Sequence, residues 1–252
     1  MQKMPVVVYW FLGTETMFLI QVRTGYGIHG EGHALAMLRN LFRKLDELGL
    51  VVTQRAARDL ADFRKELEQA PEGETLSREQ TKKLGDLMVA LEQTLYAELL
   101  GYSAFVVTPK VLDVNKLMDD VPGLFGAGVF NDLPDIARHD FSEAGKCIAF
   151  ERPTAAAFHL LRGTESVLRN YYDRMVSGHP IGIQNWATIV TNLRKQSPVT
   201  KYAALYNELD NIREHYRNPT QHPEKIYDIS EAQDLWPLCV AAVNRMTRVL
   251  KD

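Results

Sequence analysis

Along most of this 252-residue chain, apolar side chains recur every three or four positions. Leu35, Leu38, Leu41 or Phe42, Leu45 and Leu48 make one such stripe. Ala56, Leu60, Phe63 and Leu67 make another, and Leu84, Leu87, Leu91, Leu95 and Leu99 a third. That spacing gathers the stripe on one side of an α-helix, where it must be covered by a neighbouring helix. A chain patterned this way has few options beyond packed helices, and the expected fold class is all-α.

The punctuation between stripes sets the expected order. Gly49 is a stop or kink after a helix over 34–48, and 53–69 resumes the pattern. Pro71-Glu72-Gly73-Glu74 is a turn. Ser77 with Gln80 is a capping box that opens the next helix. The two arms around the turn are expected to form an antiparallel helical hairpin. Two segments depart from the helical rule. Val6–Leu12 and Met17–Val22 are apolar, interrupted by Gly13-Thr14-Glu15-Thr16, and read as strands or a buried segment. Ser103–Thr108 is short, β-branched and aromatic, so it is expected as a small β element.

Residues 119–135 hold Pro122, Gly123, Gly126, Gly128 and Pro134, and read as a long connection. The expected division is therefore 1–135, a mainly helical N-terminal region, and 136–252, a helical domain. In the second part a helix over 136–150 is followed by one that Pro153-Thr154 opens. Its stripe runs through Phe158, Leu161, Glu165, Leu168, Tyr172 and Met175, and Gly178-His179-Pro180 closes it. A helix around Trp186–Leu193 comes next, then one striped by Tyr202, Leu205, Leu209, Ile212 and Tyr216. Pro219 is expected to end that helix, since the residue before a proline resists helical geometry. Ser230 with Gln233 reads as a second capping box, opening a last helix through Leu235, Leu238, Ala242, Met246 and Val249.

Composition excludes several classes. Apolar residues at 46% and charged residues at 24% are ordinary for a soluble globular protein. The net charge of −3 argues against a general nucleic-acid binder. The chain up to residue 151 is net acidic and the remainder net basic. Two cysteines, Cys147 and Cys239, make no disulfide framework, so a reducing cytoplasm is expected. The interrupted apolar N-terminal stretch lacks the continuous core and small-residue cleavage site of a signal peptide, and the length of a membrane span. His29 and His33 are spaced like a metal pair, but Gly30 and Gly32 break any helix there and there is no third ligand, so no metal is expected. Nor is there a Gly-rich phosphate loop or a nucleophile elbow. No cofactor is expected.

One short stretch carries chemistry. In Arg217-Asn218-Pro219-Thr220-Gln221-His222, a permanent cation that grips phosphate with two donors is followed, after a proline-stiffened gap, by a group that exchanges protons near neutral pH. Upstream, Glu165 occupies an apolar stripe position. A carboxylate there needs a partner, and Arg217 or Arg162 can supply it. His159, Arg162 and Arg169 read as one polar face, and Tyr171-Tyr172 as packing.

Arg217-Asn218-(x3)-His222 resembles the R-x4-6-H motif of the HEPN superfamily. The words Ala155–Glu165, Asn185-Trp186 and Asp228–Ala232 resemble bacterial HEPN-like proteins, and the likeness covers about 136–252. It implies a HEPN-like helical bundle with the motif in a cleft, often at a homodimer interface. Active members are metal-independent endoribonucleases. Carried over, Arg217 would bind and polarise the scissile phosphate, and His222 would act on the 2′-hydroxyl or the leaving oxygen. Asn218 would orient phosphate or histidine, and Glu165 would position Arg217. RNA supplies its own nucleophile, so a histidine and an arginine suffice in principle. The implied setting is a toxin or phage-defence effector, with an antitoxin or regulatory protein as partner. The alternative is a non-catalytic HEPN-like module for nucleic-acid binding, protein interaction or dimerisation, in which Arg217 only holds Glu165. A third reading is an accessory subunit docking through its N-terminal hairpin. A cleft shared by Arg217 and His222 would favour cleavage; Arg217 spent on Glu165, with His222 in bulk water, would favour binding.

Overall fold

A computed structural model of the chain describes residues 4–176, 185–196, 201–222 and 224–251. The Gly178-His179-Pro180 stop lies outside these residues. Among the described residues the protein is all-α, with one isolated antiparallel bridge between Gly27 and Thr75. No described helix is long and apolar enough to cross a membrane.

The chain folds as two compact units, Met1–Phe105 and Val106–Asp252. The division falls well ahead of the Gly/Pro-rich connection. Leu117, Val121, Val129 and Leu133, within or beside that connection, are buried in the second unit's core. Those side chains, and the Gly126 N–H donated to Asn244 Oδ1 at 3.0 Å, bind the segment to the later helices.

The first unit contains α1 (Val7–Gln21), α2 (Ala34–Glu47), α3 (Val51–Ala56), α4 (Arg58–Glu68) and α5 (Arg78–Leu99). The expected hairpin is present: α4 packs on α5. Lys83 crosses between them to Glu66 at 2.6 Å and lies over the Phe63 ring. Ser77 and Gln80 exchange both bonds of the capping box. The expected N-terminal strands are replaced by one helix, α1, running straight through Gly13-Thr14-Glu15-Thr16. Leu12, Thr16 and Leu19 are its buried residues, at helical spacing. Glu15 meets Lys44 of α2 at 2.6 Å. Burial against α2 and α5 overrides the local strand preference of Val, Tyr and Phe. Ser103–Thr108 forms no strand either: Phe105 and Val106 are exposed, with no partner strand beside them.

The second unit contains α6 (Val114–Asp119), α7 (Asp135–Ala149), α8 (Pro153–Met175), α9 (Trp186–Gln196), α10 (Ala203–Ile212), a π-turn over Arg213–Arg217, α11 (Asn218–Thr220) and α12 (Ile229–Val249). Helix α8 is central, packed by α7 on one side and α12 on another. Its buried residues are Ala156, Ala157, Leu160, Leu161, Gly163, Thr164, Val167, Leu168, Tyr171 and Tyr172. Phe158 is 48% exposed, so the buried face is turned away from the expected Phe158–Glu165 line. Two glycines set how close the helices come. A Cβ on Gly163 would sit 3.2 Å from Asp140 Cβ and from the Phe141 ring, and one on Gly145 would sit 2.4 Å from the Leu117 carbonyl oxygen.

The last helix is capped differently from expectation. Asp228 and Glu231 form the box. Gln233 instead accepts the Val111 N–H at 2.7 Å, fastening the first residues of the unit to α12.

Gly145→Ala tests the α6–α7 contact. Alanine adds helix propensity worth about 1 kcal/mol, but its methyl meets backbone that cannot rotate away, an overpacking cost of about 1–3 kcal/mol. Urea denaturation should show a net loss of about 1 kcal/mol; a gain would mean α6 is free to shift.

Candidate functional site

The helix that carries Arg217 does not stop at Pro219. Asn218 is helical, at φ −63° and ψ −51°, and its N–H reaches back five residues to the Arg213 carbonyl. A proline ring clashes with the carbonyl four residues earlier in a regular helix and offers it no N–H. The wide turn over Arg213–Arg217 is the kind of local expansion that accommodates such a residue. The irregular end is then pinned by hydroxyls. Thr220 Oγ1 donates to the Tyr216 carbonyl at 2.6 Å, and Tyr227 Oη reaches the same carbonyl at 3.1 Å and Thr220 Oγ1 at 2.7 Å. Thr154 at the start of α8 accepts the Tyr227 N–H at 3.1 Å. These bonds hold the Arg217 segment against α8.

Between them lies a cleft of about 300 Å³, lined by Phe158, His159, Leu161, Arg162, Glu165, Arg217, Thr220 and Gln221. Arg217 Nη2 lies 3.6 Å from Glu165 Oε2, the partnership expected from the sequence. Glu165 also accepts from Arg169, one turn on, at 2.8 Å. The Arg217 side chain keeps 28% of its surface exposed. Asn218 is half-buried and His222 exposed, and neither lines the cleft wall. The structure thus brings Arg217 and Glu165 together and leaves Asn218 and His222 outside.

Three residues that the sequence pattern does not single out as a site complete the cleft. Asp140 of α7 is fully buried beneath it. Arg162 grips it bidentately: Nε donates to Oδ2 at 2.7 Å and Nη2 to Oδ1 at 2.5 Å. His159 Nδ1 lies 2.9 Å from Oδ1. Arg162 is therefore committed to Asp140, not to Glu165, yet 62% of its side chain remains exposed. On the polar face, His159 and Arg169 are half-buried and Arg162 is exposed, with the Asp140 carboxylate behind His159 and Arg162. One signal for it stood in the sequence: Asp140 lies on an otherwise apolar line of α7 with Ala137, Ala144 and Ile148.

Burial pushes the Asp140 carboxyl up, but the hydrogen bonds and charges of Arg162 and His159 outweigh it and hold the group below the usual carboxylate range. Cys239 is fully buried and its thiol is pushed up to about 12, which makes it inert at neutral pH. His29 Nε2 and His33 Nδ1 are each bonded to a backbone carbonyl. Among the described residues no group of three His, Cys, Asp or Glu is placed to hold a metal ion.

Asp140→Asn makes the ion cluster testable through acid unfolding. A depressed carboxyl stabilises the fold when ionised; that stabilisation is complete above the unfolded value, about pH 4, and is lost as pH falls through the lower folded value. The wild-type melting temperature should therefore drop more steeply than the variant's on acidification through that window. At neutral pH the variant should be less stable by about 1–3 kcal/mol. Parallel melting curves across pH would remove Asp140 from this role.

Comparison with protein-family models, curated proteins and solved structures found no match to this chain.

Proposed function

We propose that the second unit is a HEPN-like module that binds RNA through the cleft between α8 and the Arg217 segment. One observation carries this reading: Arg162 and Arg217 line the same cleft, each anchored by a carboxylate and each with part of its side chain left exposed. An anchored guanidinium is pre-organised, and its planar fork matches a phosphate's oxygens. Asp140 lies beneath the cleft and Glu165 on its wall, and both carboxylates lower the cleft's charge, which suits a selective site better than a general polyanion surface. His222, standing away from the wall, fits binding rather than cutting by the Arg217–His222 pair within one chain.

Arg217→Ala and Arg162→Ala should each weaken binding of a single-stranded RNA about tenfold in fluorescence anisotropy. Each should also reduce the slope of log affinity against log salt by about 0.7–1, the signature of one lost phosphate contact. Unchanged affinity in both would remove RNA from the cleft.

One observation favours cleavage as a second reading: Gln221, the neighbour of His222, lines the cleft beside Arg217. In that reading the protein is a metal-independent endoribonuclease of HEPN type, acting as a toxin or phage-defence effector. A second copy of the chain would complete the site, and an antitoxin or regulatory protein would restrain it. Expression of the wild type should then arrest growth and degrade cellular RNA, and Arg217→Ala and His222→Ala should relieve both. A wild type whose expression leaves growth and RNA intact would leave binding alone.

A further inference from the structure

We propose that His159, held by the buried carboxylate of Asp140, is the catalytic residue of this cleft, taking the proton of an RNA 2′-hydroxyl as that oxygen attacks the neighbouring phosphate. This rests on the cleft being an RNA site, and it assigns the proton transfer to a histidine outside the Arg217–His222 motif.

Asp140 sets the tautomer. An ionised carboxylate only accepts hydrogen bonds, so the 2.9 Å contact with Asp140 Oδ1 places the proton on Nδ1 of His159. In the neutral ring Nε2 then carries the lone pair. Asp140 has no freedom to release the ring, because Arg162 holds both of its oxygens. Gly163 lets α8 come close to α7 for this contact; a Cβ there would sit 3.2 Å from Asp140 Cβ. The ring lines the cleft and keeps 26% of its side chain exposed, so a bound hydroxyl can reach it. A base within reach of substrate and oriented by a third group is the arrangement that general-base catalysis needs.

The surroundings suit the charge that develops. Arg162 and Arg217 share the cleft and can neutralise charge on the phosphate oxygens. The other groups near His159 are His139 of α7, whose ring centroid is 6.5 Å away, Glu143 of α7, and Glu165, which lines the cleft farther along α8. Glu143 is itself paired with Lys146 at 2.7 Å. His222, by contrast, is exposed and outside the cleft wall.

The step balances without a co-reactant beyond water. Nε2 takes the 2′-hydroxyl proton, the 2′-oxygen bonds to phosphorus, and the bond from phosphorus to the 5′-oxygen breaks. The departing oxygen takes a proton from water, and the imidazolium returns its proton to solvent. The products are a 2′,3′-cyclic phosphate and a free 5′-hydroxyl.

The test uses the full chain with total cellular RNA, a mixed-sequence single-stranded RNA and its all-DNA counterpart. Binding and cleavage are measured separately, and circular dichroism confirms that each variant folds. The wild type is expected to cut RNA, to leave 2′,3′-cyclic ends and to spare the DNA. His159→Gln and His159→Asn should bind RNA as before but cut it at least ~100-fold more slowly. Asp140→Asn should cut slowly too. The loss should fall on the cleavage rate with RNA binding kept; a merely structural role would lower binding and cleavage together. His222→Gln is the comparison. Cleavage lost there but retained in both His159 variants overturns the assignment, as does a wild type that binds RNA and leaves every sample intact. The latter result leaves the binding reading standing; a wild type that binds no RNA ends both.

Discussion

A carboxylate without solvent contact, Asp140, is the constraint around which the second unit is arranged. Its charge is tolerable only because Arg162 covers both oxygens and His159 adds a third bond. Those donors come from α8, one turn apart, so the carboxylate fixes the rotation of α8 against α7. Gly163 permits the approach, since any side chain there would meet Asp140 and Phe141. The rest of the cleft inherits this rotation. Once Arg162 faces Asp140, Glu165, one turn on along the same helix edge, meets Arg217.

The second wall is irregular for a local reason. Pro219 interrupts the hydrogen-bond ladder, the turn before it widens, and the Tyr216 carbonyl accepts from the hydroxyls of Thr220 and Tyr227. A regular helix would have carried Arg217 at another angle. Proline, threonine and tyrosine act together here as a bracket that sets where one arginine points. The bracket is tied to the start of α8 through Thr154, so both cleft walls refer to the same helix.

The two carboxylates have different consequences. Asp140 is inaccessible and orients two groups; Glu165 is half-buried and shares its charge between Arg169 and Arg217. Both arginines in the cleft are thereby restrained without being covered. Restrained but uncovered donors lose little freedom on meeting a phosphate, which is the physical content of pre-organisation.

Much of the helical architecture was legible in the pattern of residues. The stripes located α2, α4, α5, α8, α10 and α12, and the Ser77–Gln80 box opened α5, because a 3.6-residue repeat and a cap are local signals. The pairing of Glu165 with Arg217 was also legible, as a carboxylate on an apolar line asking for a cation. Local signals failed where burial decided. Helix α1 looks like strands because its β-branched and aromatic residues favour extension, yet its buried positions fall at helical spacing. Residues 119–135 look like a linker by their glycines and prolines, yet their apolar side chains belong to the second core. The Pro219 stop was cancelled by a π-turn whose end is pinned by hydroxyls from Thr220 and Tyr227. Sequence alone established a helical chain with an arginine and a histidine closely spaced near its end. Which histidine shares the cleft with that arginine depended on the meeting of α7 and α8, since Asp140 and His159 are distant in the chain and become neighbours only where one buried charge must find its donors.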